Sequence, residues 1–334
     1  MRVAQAHCLL DSGDPRGALT CLATALQLAG TGHDREAQAN EGAAWFGFGA
    51  AYAYVGDVVA AADAYGRAAR ITGEIGHHRG EAATMAALGI LLGKTTEGRY
   101  GEVTDELVSR LIAVLPAGTG ASSLDDAAVA LLERAAVRSK EINDESGRVA
   151  ALLNLSNFVP ADQAQRRIEI LTEVLEHKRA LRDQLGTAVA LANIGSARRL
   201  LGDLPGAVRA FRDSLSIARD AGHAESAAQS ARDLAEIAVQ VGNVAEAQVR
   251  FHEAIDHIER VRPNLPERDE YRVGFGQDKG RAYRGLVDLL VAAGDAEEAY
   301  GVVQRAKSRA LLELAAQGEV ADRATRRPVR RAPG

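Results

Sequence analysis

The chain has 334 residues, of which 47% are apolar and only 4% aromatic, and its formal net charge is −5. This length allows one long array or two ordinary domains, and the negative balance argues against general binding to nucleic acids or acidic membranes. No apolar run is long enough to cross a bilayer and no signal peptide is evident, so we expect a cytoplasmic protein.

A spaced pattern of residues recurs five times along the chain. Each copy has Gly followed by Asp or Asn, then Ala five residues after the Gly, an apolar residue at nine and Ala or Ser at twelve. The copies begin at Gly13, Gly56, Gly202, Gly242 and Gly294. Because the last three positions are four and three residues apart, they share one face of a helix. The Gly lies in the turn before that helix, where an earlier helix must end.

The clearest preceding helix carries Trp45, Phe48, Gly49 and Tyr52 before the turn at Gly56. This arrangement resembles the tetratricopeptide repeat, in which a first helix, a turn and a second helix form one unit. Other first helices are predicted around residues 191–195, 231–235, 283–287 and 85–92, the last with a degenerate second helix around Val103 and Leu107. The resemblance implies an all-α fold without sheet, a right-handed superhelix (α-solenoid) of antiparallel helix pairs, and binding of other proteins.

Two stretches rich in Gly or Pro interrupt the repeats, at residues 93–123 and 262–268. Within the first stretch the sequence predicts a helix over Glu102–Leu115, and between the two stretches it predicts helices over Asp125–Ile142, Arg148–Phe158 and Pro160–Arg182. The predicted segments are N-terminal repeats at 1–92, an irregular helical region at 93–145, C-terminal repeats at 146–262, a final hairpin at 263–317 and a disordered basic tail at 318–334.

The final hairpin carries a more specific resemblance. Residues Arg305–Leu312 read Arg-Ala-Lys-Ser-Arg-Ala-Leu-Leu, which is similar to the helix that leads into the caspase-like protease of bacterial CHAT-domain proteins. The family's Cys–His pair cannot be placed, since no Cys follows Cys21. The resemblance therefore implies the regulatory repeat half of a CHAT-type protease system, with a CHAT protease as partner in cis or trans. The alternative is the signal-peptide sensor domain of a bacterial transcriptional regulator.

Three patterns resemble chemical sites, and each has a structural interpretation. Residues 88–95 approach a phosphate-binding loop, but only three residues separate the two glycines and the context is helical. His77 and His78 are adjacent and do not face one site, so we expect an inter-helix turn. Asp125 and Asp126 are interpreted as helix capping and first-turn charge. We predict no catalytic, cofactor-binding or metal-binding residue, and no enzyme.

Aromatic residues and cysteines near the N-terminus are expected mainly in the core. Trp45 and Phe48 suit burial between helices, whereas Phe46 is the best candidate for an exposed groove residue. Cys8 and Cys21 lie on two neighbouring predicted helices, and we interpret them as reduced core thiols in a cytoplasmic protein.

A polar groove along the first helices is the predicted binding site. Asn154 and Asn193 lie 39 residues apart at corresponding positions of first helices, and an Asn amide can bridge the donors and acceptors of an extended peptide. Asn at this position resembles the peptide-backbone clamp of kinesin-light-chain-like repeats. A solvated helix face is the alternative interpretation for each single residue. The predicted groove residues are Asn154, Asn157, Asn193, Ser196, Arg199, Arg232, Glu236, Gln240 and Arg284.

Overall fold

The computed structural model describes residues 2–30, 34–116, 119–260 and 269–307. Within these ranges the regular elements are helices, and no strand occurs among them. The α-helices are α1 (Arg2–Asp11), α2 (Pro15–Ala29), α3 (Arg35–Val55), α4 (Val58–Glu74), α5 (His78–Thr96), α6 (Asp105–Ala113), α7 (Leu124–Glu141), α8 (Glu145–Phe158), α9 (Ala164–Ala180), α10 (Gln184–Leu200), α11 (Leu204–Asp220), α12 (Ala224–Gln240), α13 (Val244–Arg260) and α14 (Asp269–Ala293). A 3-10 turn at Ala161–Gln163 precedes α9, and residues 296–307 form a further helix, α15.

Contacts divide the chain into two compact units, unit 1 (Met1–Leu181) and unit 2 (Arg182–Gly334). Unit 1 contains the hairpins α1–α2, α3–α4, α5–α7 and α8–α9, and unit 2 contains α10–α11, α12–α13 and α14–α15. Within each unit a second helix also packs against the first helix of the following hairpin, as α2 does on α3 and α11 on α12. This nearest-neighbour packing confirms the predicted all-α solenoid of tetratricopeptide type.

The five glycine turns share one backbone conformation. Gly13, Gly56, Gly202, Gly242 and Gly294 have φ between 75° and 83°, in the left-handed region that residues with a Cβ rarely adopt. The Asp or Asn after each of these glycines accepts a hydrogen bond from the backbone N–H three residues on, at 2.8–3.2 Å. Each Gly-Asp or Gly-Asn pair therefore ends one helix and caps the next.

Glycines on first helices permit close contact with aromatic rings on second helices. A Cβ built on Gly49 would lie 2.5 Å from Cδ1 of Tyr65, and one on Gly195 would lie 2.9 Å from Cδ1 of Phe211. Gly285 of α14 faces the ring of Phe251 in the same way. The contacts of Gly49 and Gly195 lie within one hairpin each and confirm the predicted helix register, whereas that of Gly285 joins α14 to α13 of the preceding hairpin.

The hairpin built on α5 differs from its prediction. Its second helix is α7, because α5 packs along α7 and a Cβ on Gly89 would lie 2.9 Å from Cγ of Leu132. The expected second helix around Val103 and Leu107 is instead the short α6, which contacts α4 and α7. Residue spacing favours α6, the helix that follows α5 directly in the chain. In the structure α5 pairs with α7, because α7 has the longer run of buried Ala and Leu.

The remaining predicted helices agree with α6, α7, α8 and α9 to within a few residues, apart from the 3-10 turn at Ala161–Gln163. The predicted segment 146–262 spans both units. The Pro-containing break at 262–268, the end of the CHAT-like helix from residue 308 and the basic tail lie outside the described residues. Among the described helices, none combines the length and the hydropathy that a bilayer-crossing segment needs.

Candidate functional site

A cleft opens between the first helices of three successive hairpins in unit 1. It has a volume of about 170 Å³ and lies between α1, α3 and α5. We call it the N-terminal cleft; its wall includes Val3, His7, Ala39, Ala43, Phe46 and Ala83. Gly42 and Gly80 also line it, so the surface consists largely of small and apolar groups that another chain can approach closely.

Phe46 forms the aromatic part of this cleft. Its side chain is half-buried, and its ring centroid lies 6.3 Å from that of His7 and 5.5 Å from that of Tyr65. Burial raises the pKa of the Tyr65 hydroxyl well above its usual range, and the nearby Tyr100 adds to this shift. Tyr65 is therefore a neutral support for Phe46 throughout the physiological pH range.

The neighbouring aromatic residues behave differently. Phe48 is buried, as predicted, whereas Trp45 is half-buried and has the Arg67 guanidinium 4.6 Å from its ring centroid. Phe46 is also half-buried, so it is a cleft-lining residue and not a freely exposed one.

The predicted groove residues of unit 1 lie on α8. Asn154 is half-buried, and its Nδ2 donates to the Ala150 carbonyl at 2.8 Å, which leaves the amide oxygen and a second N–H for other partners. Asn157 is exposed, and its backbone carbonyl accepts from Arg167 at 3.2 Å. Arg167 also donates to the Val159 carbonyl at 3.0 Å, which ties α9 to the end of α8.

The predicted groove residues of α10 lie in unit 2. Asn193 and Ser196 are both half-buried, and Ser196 Oγ donates to the Ala192 carbonyl at 3.2 Å. Asn154 and Asn193 therefore belong to different units. Their joint action on one peptide stays a prediction.

Charged side chains connect the three first helices of unit 2. Glu236 of α12 accepts from Nη1 of Arg199 on α10 at 2.9 Å through Oε2, and from Nη2 of Arg281 on α14 at 2.9 Å through Oε1. Arg199, Glu236 and Arg281 therefore form one ion-paired cluster across α10, α12 and α14. Gln240 and Arg284, also predicted for the groove, are exposed on α12 and α14.

Arg232 lies deeper than the sequence suggested. It is 6% exposed, and its Nη2 donates to Oδ1 of the 5% exposed Asp233 at 3.2 Å. Burial raises the pKa of the Asp233 carboxyl above its ordinary value, and the adjacent Arg232 guanidinium offsets only part of that rise. Asp233 was not among the predicted groove residues, because its burial depends on the helices packed around α12 and not on the sequence of α12 alone.

The three sequence patterns that resemble chemical sites lie within helices or at helix ends. Lys94 lies inside α5, His77 and His78 begin that helix, and Ser123 caps α7 by accepting from the Asp126 N–H at 3.1 Å. Asp126 in turn accepts hydrogen bonds from Ser122 and Ser123, which lower the pKa of its carboxyl. The described residues contain no group of three or more His, Cys, Asp or Glu side chains that could hold a metal ion.

Of the two thiols predicted for the core, Cys21 packs against the hydrophobic cluster of α1–α4 and Cys8 does not. Cys8 is exposed on α1 and Cys21 is half-buried on α2, and both are free. The helical register turns Cys8 outward, since Ala6 and Leu10 occupy the buried face of α1.

Taken together, the fold and these surfaces define a helical-repeat protein whose successive first helices present side chains to solvent. Among solved structures, the chain is similar to BtubC (BKLC) from P. vanneervenii, with a TM-score of 0.52, 15% identity and coverage of 83% of this chain and 96% of that chain. It also aligns with a Rap protein complexed with Competence and Sporulation Factor, at a TM-score of 0.49 and 12% identity over 96% of this chain and 98% of that chain. The likeness to BtubC concerns the fold alone. No protein-family profile and no curated protein matches the chain.

Proposed function

We propose that the chain is a non-enzymatic tetratricopeptide-repeat scaffold that binds a protein or peptide partner along its first-helix surfaces. The observation that carries the proposal is the N-terminal cleft, where three successive first helices present small apolar groups. A partner can approach this surface closely because Gly42, Ala43 and Ala83 have no long side chains to obstruct it. Adjacent repeats then extend the contact along the partner.

The polar first-helix residues supply the second part of the proposed site. Asn154 in unit 1 and Asn193 in unit 2 each offer a side-chain amide to a partner backbone, and in unit 2 the charged residues of α10, α12 and α14 select its side chains. A protein partner fits better than a nucleic acid, since the chain has a net charge of −5. The scaffold acts in the cytoplasm.

A CHAT-type protease is the proposed partner system. This part rests on the sequence of the final hairpin, where Arg305 begins the Arg-Ala-Lys-Ser-Arg-Ala-Leu-Leu run. Arg305 also fixes α15 in place, because its guanidinium donates to both carboxylate oxygens of Glu259 at 3.2 and 2.9 Å. A purified CHAT protease encoded beside this chain should co-elute with it in size-exclusion chromatography. Separate elution at micromolar concentrations of both proteins would remove this part of the proposal.

The scaffold proposal is tested by filling the cleft. Peptides are selected from a displayed library on the wild-type chain, and their affinities are measured for Ala83→Trp and for Ala23→Trp. Both alanines are exposed on helices, but only Ala83 lines the cleft. We expect Ala83→Trp to weaken the selected peptides by about tenfold or more, the effect of losing one well-placed contact of about 1.4 kcal/mol.

Two results would contradict this expectation. Failure to select any peptide above background would remove the scaffold proposal, and equal affinity in both variants would move the site away from the cleft. Hydrogen exchange on peptide addition separates the scaffold from the alternative sensor. If the chain is a scaffold, peptide binding should slow amide exchange only in the first helices at the site. If it is a sensor, exchange should also change in hairpins that the peptide does not contact.

A further inference from the structure

Two histidines line the N-terminal cleft from different helices. His7 belongs to α1 and His77 lies directly before α5, while Gly42 and Phe46 of α3 also line the wall. The ring centroid of His7 is 6.3 Å from that of Phe46, and Nδ1 of His77 would lie 2.5 Å from a Cβ built on Gly80. The cleft has a volume of about 170 Å³, which is well below that of a pocket for a drug-sized molecule. A partner therefore inserts only one or two side chains between these rings.

The rest of the described wall consists of side chains that do not ionise. These residues are of the types Val, Ala, Gly, Phe and Thr. Both threonine hydroxyls already donate hydrogen bonds, Thr72 to the Ala68 carbonyl at 2.8 Å and Thr84 to the Gly80 carbonyl at 2.7 Å. Within the described wall, then, a protonated histidine finds no carboxylate.

The acidic residues around His77 lie outside the wall. Oε2 of Glu81 on α5 is 3.0 Å from Nε of Arg138 on α7 and 3.4 Å from Nδ1 of His78. Glu74, at the end of α4, lines a different groove. These carboxylates are therefore not placed to neutralise a charge on His77 inside the cleft.

Two arginines near the start of α5 are outside the wall as well. Arg79 lies 3.3 Å from Asp144, which caps α8. Arg35 of α3 donates to the Gly76 carbonyl at 3.5 Å. Because Gly76 directly precedes His77 in the chain, Arg35 brings a positive charge to this end of the cleft.

The charged residues of the helices around His7 are also outside the wall. Arg16 supplies the charge of α2 in its first turn, and Glu41 of α3 lines the same separate groove as Trp45. Asp11 lies one turn after His7 on α1 and is exposed. Because Asp11 stays in water when the cleft is filled, it favours a proton on His7 in the free and the occupied protein alike. His77 should therefore have the larger share of any effect of pH on binding.

We propose, building on the proposed function, that the N-terminal cleft takes an apolar side chain of the partner only while His7 and His77 are neutral, so that acidification releases the partner. Histidine changes charge between about pH 5 and 8. A side chain that fills the cleft removes water from both rings, and burial disfavours their charged form. Below this range the free protein must lose protons in order to bind, whereas above it both rings are already neutral. Affinity is therefore full at pH 8 and decreases as the pH falls.

The test measures peptide affinity for the full chain at two pH values. The peptides are selected on the wild-type chain at pH 8 from sequences without His, Asp, Glu or Cys and with blocked termini, so that the ligand itself does not titrate. The ratio of affinities at pH 8 and pH 5.5 is compared among His7→Gln, His77→Gln and the double variant. This ratio does not depend on how a substitution changes affinity at pH 8. The control is His78→Gln, which removes the neighbouring histidine that faces Glu81 and does not line the cleft.

We expect the wild-type chain to bind these peptides roughly tenfold more weakly at pH 5.5 than at pH 8, and His78→Gln to keep this ratio. Each single cleft variant should reduce the ratio, and the double variant should bring it close to one. Calorimetry at pH 6 in two buffers of different ionisation enthalpy should show that the wild-type chain releases protons on binding and that the double variant does not. Circular dichroism at both pH values checks that each form is folded.

Equal wild-type affinity at the two pH values would overturn the inference, and the proposed function would stand if Ala83→Trp weakens the same peptides. Unchanged proton release in the double variant, or an equal effect of His78→Gln, would also overturn it, because other groups would then cause the pH dependence. Loss of helicity at pH 5.5 would assign the weaker binding to unfolding and would count against it too. If the double variant does not fold, the single variants decide, since each should still lower proton release. If no peptide is selected at all, the proposed function and this inference fail together.

Discussion

Gly195 of α10 lies directly against the ring of Phe211 on α11, so that a Cβ at position 195 would come within 2.9 Å of the ring carbon Cδ1. Phe211 is fully buried. A larger residue at position 195 would push the two helices apart, and a smaller one at position 211 would leave a cavity between them. The same relationship joins Gly49 of α3 to Tyr65 of α4 within one hairpin, and Gly285 of α14 to Phe251 of α13 between successive hairpins.

Replacing Gly195 with Leu should therefore destabilise unit 2. The added side chain would overpack the contact with Phe211, at a cost of about 1–3 kcal/mol in the free energy of unfolding. Urea titration followed by circular dichroism measures this change. Gly301→Leu is the control, because Gly301 of α15 has no atom within 4 Å of its built Cβ. An unchanged midpoint for Gly195→Leu would show that the helix register is wrong.

The turns give a prediction that depends on backbone conformation alone. Gly202 has φ of 76°, and a Cβ built on it would meet nothing within 4 Å. Gly202→Ala should lower the free energy of unfolding by about 1–2 kcal/mol, the cost of a left-handed conformation for an L-residue. The helical Gly301→Ala should instead raise it by about 0.5–1 kcal/mol. If both changes act in the same direction, strain at φ does not account for the glycine in these turns.

The contrast between turns and charged faces shows what the sequence could predict. Each Gly-Asp or Gly-Asn turn is local, since φ and the cap are decided within four residues, and all five were predicted. The pairing of α5 with α7 joins distant segments, so local spacing favoured the nearer α6. The spacing of residues within α12 is compatible with a polar face that includes Arg232. Its burial comes from neighbouring helices, and the periodicity of one helix does not reveal them. The cleft arises from three helices whose small residues are each unremarkable in the sequence.

Histidine burial predicts how the stability of unit 2 depends on pH. His257 of α13 is 8% exposed, and burial lowers the pKa of its ring below the ordinary 6.5, helped by Arg260 and Arg219 and opposed by Glu253 and Asp256. The folded state thus binds the proton less readily than the unfolded state. The contribution of neutral His257 is full above the unfolded pKa and is lost as the pH falls toward the folded pKa.

Lowering the pH from 8 to 5.5 should therefore reduce the melting temperature, and His257→Gln should make that reduction smaller. Melting curves at several pH values, recorded for both forms, provide the measurement. The values at pH 8, where His257 is neutral in both states, give the baseline cost of the substitution. A wild-type and a variant curve that run parallel across the whole range would exclude His257 as the source.

The last prediction concerns the two asparagines of the proposed groove. Asn154 uses one N–H on the Ala150 carbonyl, which holds its amide at a fixed angle on α8. Asn193 is half-buried at the corresponding position of α10. If each amide bonds to a partner backbone, each contributes about 0.5–1.5 kcal/mol. Asn154→Ala with Asn193→Ala should then weaken a selected peptide roughly 5- to 150-fold, and because backbone contacts ignore side chains, acidic and neutral peptides should weaken by the same factor.

Circular dichroism separates binding from folding in this experiment. Neither amide is fully buried, so the double variant should keep its helical content and melt within a few degrees of the wild type. The matched control is Gln165→Ala, which removes an exposed side-chain amide on the second helix α9, outside the predicted groove. Equal peptide affinity in the double variant would place the binding surface elsewhere, with the N-terminal cleft as the next place to examine. Loss of affinity together with loss of helicity would assign the asparagines a structural role, because the bond from Asn154 to Ala150 would then matter to α8 itself.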